Sequence, residues 1–228
     1  MSNWTDFINI IIASAFAALI FSLFEIQNYF SFFLATLFFF IFFYVAKFIL
    51  AYSFGFKVST KFLTFRRFWF GDRYKSPIPI PAWLIFPLLI SFLTYNAIKL
   101  LTILGYTYEP TIKRLKRKFT FDEYDVAKID IGSLLIVFAF TIIFHYIGLN
   151  KFVIVGAWFI VSNILPIGSL DGGKIFNASW LTWSFYFVFF VISLTLIQIA
   201  DIFISFVLAL ILAISIFVYL LYWHLTKR

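Results

Sequence analysis

Apolar residues gather in seven long stretches, at residues 7–24, 29–51, 83–104, 129–147, 152–165, 180–198 and 202–223, and the charged residues collect mainly between them. A helix needs roughly 20 mostly apolar residues to cross a bilayer. The pattern therefore predicts an all-α polytopic membrane protein in which 1–228 is a single membrane domain, with no room for a water-soluble one. The first stretch lacks the basic flank and small-residue cleavage site of a signal peptide, so it reads as a membrane helix. No internal repeat is visible. Between residues 54 and 70 the period changes: Phe54, Phe56 and Val58, then Phe62, Arg66, Phe68 and Phe70, share one parity. That alternation predicts one or two short strands, a β-hairpin at the membrane edge. An amphipathic interfacial segment with Trp69 facing lipid is the other reading. Pro77, Pro79 and Pro81 then favour an extended linker.

Composition narrows the chemistry. The chain is 64% hydrophobic and 12% charged, against about 25% charged for a soluble domain. Its 36 Phe residues are spread along the chain and read as lipid-facing bulk. With no Cys, disulfides and thiolate chemistry are excluded. The two histidines, His145 and His224, lack an i+4 partner and read as interfacial residues.

Charge placement decides which stretches cross. Loop 53–81 and loop 105–128 carry six Lys or Arg each. If residues 83–104 crossed the membrane, these sets would face opposite sides, against the cytoplasmic bias of Lys and Arg. If that stretch re-enters or lies in the interface, fifteen basic residues share the cytoplasmic side and only Lys151 is left outside, with Lys47 and Lys99 inside apolar stretches. Pro87, Asn96 and Lys99 also make it a poor simple span. The expectation is six crossings plus one re-entrant or interfacial segment, in the cytoplasmic membrane with both termini cytoplasmic. The net charge of +8 then serves topology and anionic headgroups. Nucleic acid is not expected as a partner, because Asp122, Glu123 and Asp125 neutralise the basic run at 113–118.

One segment carries unusual chemistry: Asn163-Ile-Leu-Pro166-Ile-Gly-Ser-Leu-Asp171-Gly172-Gly173-Lys174. Pro166 interrupts a helical ladder, and Gly168, Gly172 and Gly173 permit backbone conformations closed to other residues. The predicted result is a broken helix presenting Asp171 near the membrane boundary, where an acidic group marks a functional site with a partner. The alternative is a helix end at headgroup level.

The pattern N-x-L-P-x-x-x-L-D-G-G-K resembles the third-ligand motif of the site-2-protease family, the intramembrane zinc metalloproteases. The resemblance covers about residues 29–180 as a core, with 180–228 as a C-terminal helix pair. It implies that Asp171 stands at a zinc-ligand position and that Asn163 and Pro166 shape a substrate cleft. Phe43-Tyr44-Val45-Ala46-Lys47 occupies the place of the family's HExxH, with Ala51 and Gly55-Phe56-Lys57 following, and Gly132-Ser133 is similar to the family's Gly-Pro turn. HExxH works by putting two imidazoles on one helix face with a general base between them. Here those positions read Phe43, Tyr44 and Lys47, and no His precedes His145. A catalytic zinc needs three protein ligands and an open position, and this chain supplies one. The expectation is a pseudoprotease without catalytic residues or cofactor, with a vestigial site of Phe43, Tyr44, Lys47 and Asp171 and a motif of Asn163, Pro166, Gly172, Gly173 and Lys174. It would bind or stabilise another membrane protein, with Lys47 and Asp171 paired where the family holds its metal. A structural subunit of a membrane complex, a small transporter and a divergent active metalloprotease, which alone would need zinc, are the competing readings.

Overall fold

The computed structural model describes residues 2–67, 75–111, 123–168 and 170–226. The basic run at 113–118, Trp69, Arg73, Asp122 and the terminal Lys227 and Arg228 lie outside the described residues. The chain is mostly helical: α1 (Ser2–Phe21), α2 (Tyr29–Ser53), α3 (Ala82–Leu93), α4 (Glu123–Ile147), α5 (Asn150–Ile164), α6 (Asp171–Ala178), α7 (Trp180–Leu196) and α8 (Ile202–Thr226). Four of these, α1, α2, α4 and α8, are long and apolar enough to cross a membrane. The shorter apolar α5 and α7, of 15 and 17 residues, reach about 22 and 26 Å at the helical rise.

α4 is the central element, packed against α2, α5 and α6, while α1 lies on α2, and α7 joins α5 and α6 to α8. The seam between α2 and α5 is aromatic. Phe43 meets Phe159 edge-on at 4.9 Å and Phe40 meets it at 5.1 Å. Phe39, Phe40, Phe43, Phe159 and Phe190 are among the largest fully buried side chains, so part of the phenylalanine content is core rather than lipid-facing bulk. Offset and edge-on ring pairs give rigid contacts between helices whose other faces leave large apolar side chains such as Leu34, Phe42 and Phe48 exposed.

The strands differ from a simple hairpin. β1 (Phe56–Phe62) pairs antiparallel with β4 (Leu104–Pro110), Thr60 opposite Tyr106, and β2 (Phe65–Arg67) pairs with β3 (Lys75–Ile80). β1 turns Phe56, Val58 and Thr60 inward, and β4 extends that buried face with Leu104, Tyr106 and Tyr108. The shared buried face is the reason a partner far along the chain is chosen over the next segment. Gly55, with φ +79, makes the left-handed step from α2 into β1.

The stretch 83–104 forms no single long helix. α3 spans 12 residues, about 18 Å, and the chain then reverses at Tyr95 and Asn96, which have φ of 50 and 62. Both ends are tied to one residue: Trp83 N–H donates to the Leu63 carbonyl at 2.9 Å, and Leu63 N–H donates to the Ile103 carbonyl at 3.2 Å. The segment therefore leaves and returns at the same level. Its far turn reaches the opposite end of α1, where Lys99 Nζ lies 5.9 Å from the Phe21 ring.

Candidate functional site

Four charged side chains from three helices meet at the inner face of the β1–β4 sheet. Lys47 projects from the last third of α2, Asp130 from the second turn of α4, and Asp171 and Lys174 from the first turn of α6. Lys47 Nζ lies 2.5 Å from Asp130 Oδ1 and 2.8 Å from Asp171 Oδ2, and it donates to Tyr108 Oη at 3.0 Å. The Tyr108 hydroxyl in turn donates to Asp130 Oδ1. Lys174 Nζ closes the ring at 3.4 Å from Asp171 Oδ1 and 3.6 Å from Asp130 Oδ2. Lys47 and Asp130 are fully buried and Asp171 is 1% exposed, whereas Lys174 keeps 19%. Two ammoniums face two carboxylates, so the cluster is neutral as a whole. A lone buried charge costs several kcal/mol, and pairing with hydrogen bonds is what makes burial tolerable.

The walls are aromatic. Lys47 Nζ sits 4.6 Å from the Phe43 ring centroid and 4.9 Å from that of Tyr106, and Lys174 Nζ sits 4.9 Å from that of Tyr108. Ring faces attract a desolvated ammonium, and here they take the sides of Lys47 that carboxylates leave open. Burial first, then the Asp130 carboxylate, pushes the Tyr108 hydroxyl well above its ordinary range. Tyr108 is therefore a fixed donor at neutral pH. Tyr106 Oη has no hydrogen-bond partner among the described residues, while Asp171 Oδ2 and Asp130 Oδ2 are held in ion pairs, by Lys47 at 2.8 Å and Lys174 at 3.6 Å.

Local folding places each group. Leu165, before Pro166, is extended at ψ 139, as the proline ring requires of its predecessor. α5 ends there, and α6 restarts at Asp171, whose carboxylate stands at a helix N-terminus where negative charge is favoured. Gly172 and Gly173 are not conformational specials, contrary to the sequence reading. They lie in regular helix, and their value is closeness: a Cβ at Gly172 would stand 2.0 Å from the Ile164 carbonyl oxygen, and one at Gly173 2.7 Å from that of Ile167. Gly132 and Ser133 likewise form no turn, because α4 begins at Glu123 and runs through them.

The structure thus brings together Phe43, Lys47, Asp171 and Lys174, including the expected pair of Lys47 with Asp171. It takes Tyr44 elsewhere: its hydroxyl donates to Asp6 Oδ2 at 3.3 Å. Asn163 bonds back to the Phe159 carbonyl of its own helix at 2.9 Å, and Pro166 is exposed. Sequence reasoning missed Asp130, Tyr106 and Tyr108. A carboxylate between Ile129 and Ile131 inside an apolar stretch was the available signal for the first.

Beside the cluster a cleft of about 300 Å³ opens between Tyr106–Tyr108, Glu123 and Val126 of α4, and Lys174 and Asn177 of α6. The two edges of the sheet differ. Thr60 turns its N–H outward to Asp6 Oδ1 at 2.7 Å, and Asn9 Nδ2 reaches Thr60 Oγ1 at 3.1 Å, so α1 caps the β1 edge with side chains. Since Thr60 points away from β4, its partner Tyr106 points its own N–H and C=O to the far edge, and Tyr108 does the same two residues on. No strand pairs with that edge among the described residues.

Zinc, which the resemblance implies, does not fit these residues. Both carboxylates already face an ammonium within 2.8 Å, Phe43 has no donor atom, and three protein ligands are required. Among the described residues no three His, Cys, Asp or Glu side chains converge. Compared with known proteins, the chain matches no family model, no curated protein and no solved structure.

Proposed function

We propose that this protein is a non-catalytic, site-2-protease-like membrane protein that binds an extended segment of another membrane protein along the open edge of β4. The observation that carries this reading is the Lys47 ammonium, seated 2.5 and 2.8 Å from two buried carboxylates where a metal would stand. An ammonium there replaces the cation's charge but offers no open coordination position and no acid–base pair of the HExxH kind. What persists is a rigid cleft beside a strand edge, and strand edges recruit extended peptides through main-chain hydrogen bonds. The proposed topology is six crossings with both termini cytoplasmic. The tie of Trp83 and Ile103 to Leu63 supports a re-entrant segment between the two basic loops.

The test is a photoreactive amino acid at position 107, whose side chain is exposed beside the free edge. Cross-linked product should map to a short segment flanking a transmembrane helix of the partner. The same residue at position 59, across the sheet on β1, should yield less of that product. Equal labelling from both positions, or labelling of lipid alone at 107, contradicts the reading.

A further inference from the structure

A second polar set lies at the other end of α1, outside the reading above. A cavity of about 300 Å³ is walled there by the rings of Phe21, Phe24, Phe32 and Tyr95, with Glu25 and Lys99 on its rim. It sits at the turn joining α1 to α2, two helices long and apolar enough to cross a membrane, which places it at headgroup depth. Glu25 and Lys99 line one cavity without forming an ion pair with each other among the described residues. Each is held by other partners. Glu25 Oε2 accepts from Asn28 Nδ2 at 2.6 Å, and Asn28 Oδ1 accepts from Lys151 Nζ at 2.8 Å. Lys99 Nζ donates to the Asn96 carbonyl at 2.7 Å, one use of its three donors.

Two further features point to a ligand. Asn96 Oδ1 is buried without a hydrogen-bond partner, an acceptor waiting for a donor. Tyr95 and Asn96 both hold φ in the left-handed region, an uncommon backbone for non-glycine residues that persists where the surroundings fix it, often at ligand clamps.

We infer that this cavity binds the headgroup of a zwitterionic phospholipid with a primary amine, the ethanolamine class. Lys99 takes the phosphate. The ammonium lies among the aromatic rings and donates to Glu25 and to Asn96 Oδ1. Glu25 and Lys99 on one cavity match the two charges of a zwitterion, whereas an anionic head without an amine leaves the Glu25 carboxylate unanswered, even with Lys151 nearby at 5.6 Å from the Phe32 ring. A quaternary choline head has no N–H to give Asn96 and is the weaker ligand, although ring faces attract it too.

The experiment is native mass spectrometry of the full chain in detergent with equimolar phosphatidylethanolamine, phosphatidylcholine and phosphatidylglycerol of matched acyl chains. The ethanolamine lipid should be retained roughly tenfold over the others, the factor a charge-assisted hydrogen bond carries. Glu25→Gln should erase the preference over phosphatidylglycerol, Asn96→Gly, which tolerates the left-handed backbone, should erase that over phosphatidylcholine, and Lys99→Gln should lower retention of all three. Soluble glycerophosphoethanolamine should fail to compete; competition by it would mean a free-headgroup site and overturn the lipid assignment. Equal retention of the three lipids, or variants that keep the preference, would show ordinary annular lipid and overturn it as well. A readout on the unaltered protein guards against misfolded variants: phosphatidylethanolamine, and not phosphatidylcholine, should raise its thermal midpoint.

Discussion

Lys47→Ala is expected to destabilise the protein by about 3–5 kcal/mol, the usual cost of removing one partner from a buried pair. In a chain of this size that lowers the unfolding midpoint in detergent by roughly 10 °C. The cause is charge accounting inside a dry site. With Lys47 gone, Asp130 and Asp171 share only Lys174, whose distances are 3.6 and 3.4 Å, and the cluster carries one uncompensated negative charge. Asp171→Asn alone leaves the opposite excess. The double variant Lys47→Ala/Asp171→Asn keeps Asp130 facing Lys174 and is neutral again. Its loss should therefore be smaller than the sum of the single losses by more than about 1 kcal/mol, well outside the few tenths by which independent sites deviate from additivity. Thermal or denaturant unfolding of the four proteins checks this, and additive losses would mean that the two groups do not share a site energetically.

Gly172→Ala is expected to be at least as damaging, for a different reason. The added methyl would stand 2.0 Å from the Ile164 oxygen, 2.2 Å from its carbon and 2.5 Å from the Leu165 oxygen, all backbone atoms. Backbone cannot rotate out of the way as a side chain can, so α6 must lift from the end of α5. That movement carries Asp171 away from Lys47, which adds the cost of a broken ion pair to the overpacking strain, more than about 3 kcal/mol together. Gly168→Ala is the matched control: a methyl there would meet no atom within 4 Å, and its effect should stay within about 0.5 kcal/mol. Comparable yield and midpoint for the two variants would show that α6 is not pinned by close backbone contact.

The pairing of Lys47 with Asp171 was legible because the resemblance sets both at metal-ligand positions, and each is an expensive group in or beside an apolar stretch whose cost an opposite charge answers. Asp130 was harder to see. It lies in a run otherwise apolar enough to be read whole as a membrane helix, and its role depends on α4 beginning well before that run, at Glu123. β4 shows the same limit. Leu104, Tyr106 and Tyr108 alternate with Gly105, Thr107 and Glu109, a two-residue period, but a short alternation in a basic loop names no partner, and β1 is reached only through the return from α3. The glycines of the motif point to a third kind of illegibility. A helical glycine chosen for close approach looks the same in sequence as one chosen for backbone freedom, and only the position of Ile164 tells them apart. Tyr44, which the resemblance puts at an expected vestigial site, instead turns to Asp6, because α1 supplies an acceptor that the pattern within α2 cannot foresee.

Zinc content decides the proposal that the Lys47 ammonium has replaced a metal cation. Protein purified without chelator and analysed for metal should hold well under one zinc per chain, with the same value for Asp171→Ala, because two carboxylates engaged by lysines fall short of a zinc ligand set. One tightly held zinc per chain, lost in Asp171→Ala, would contradict it.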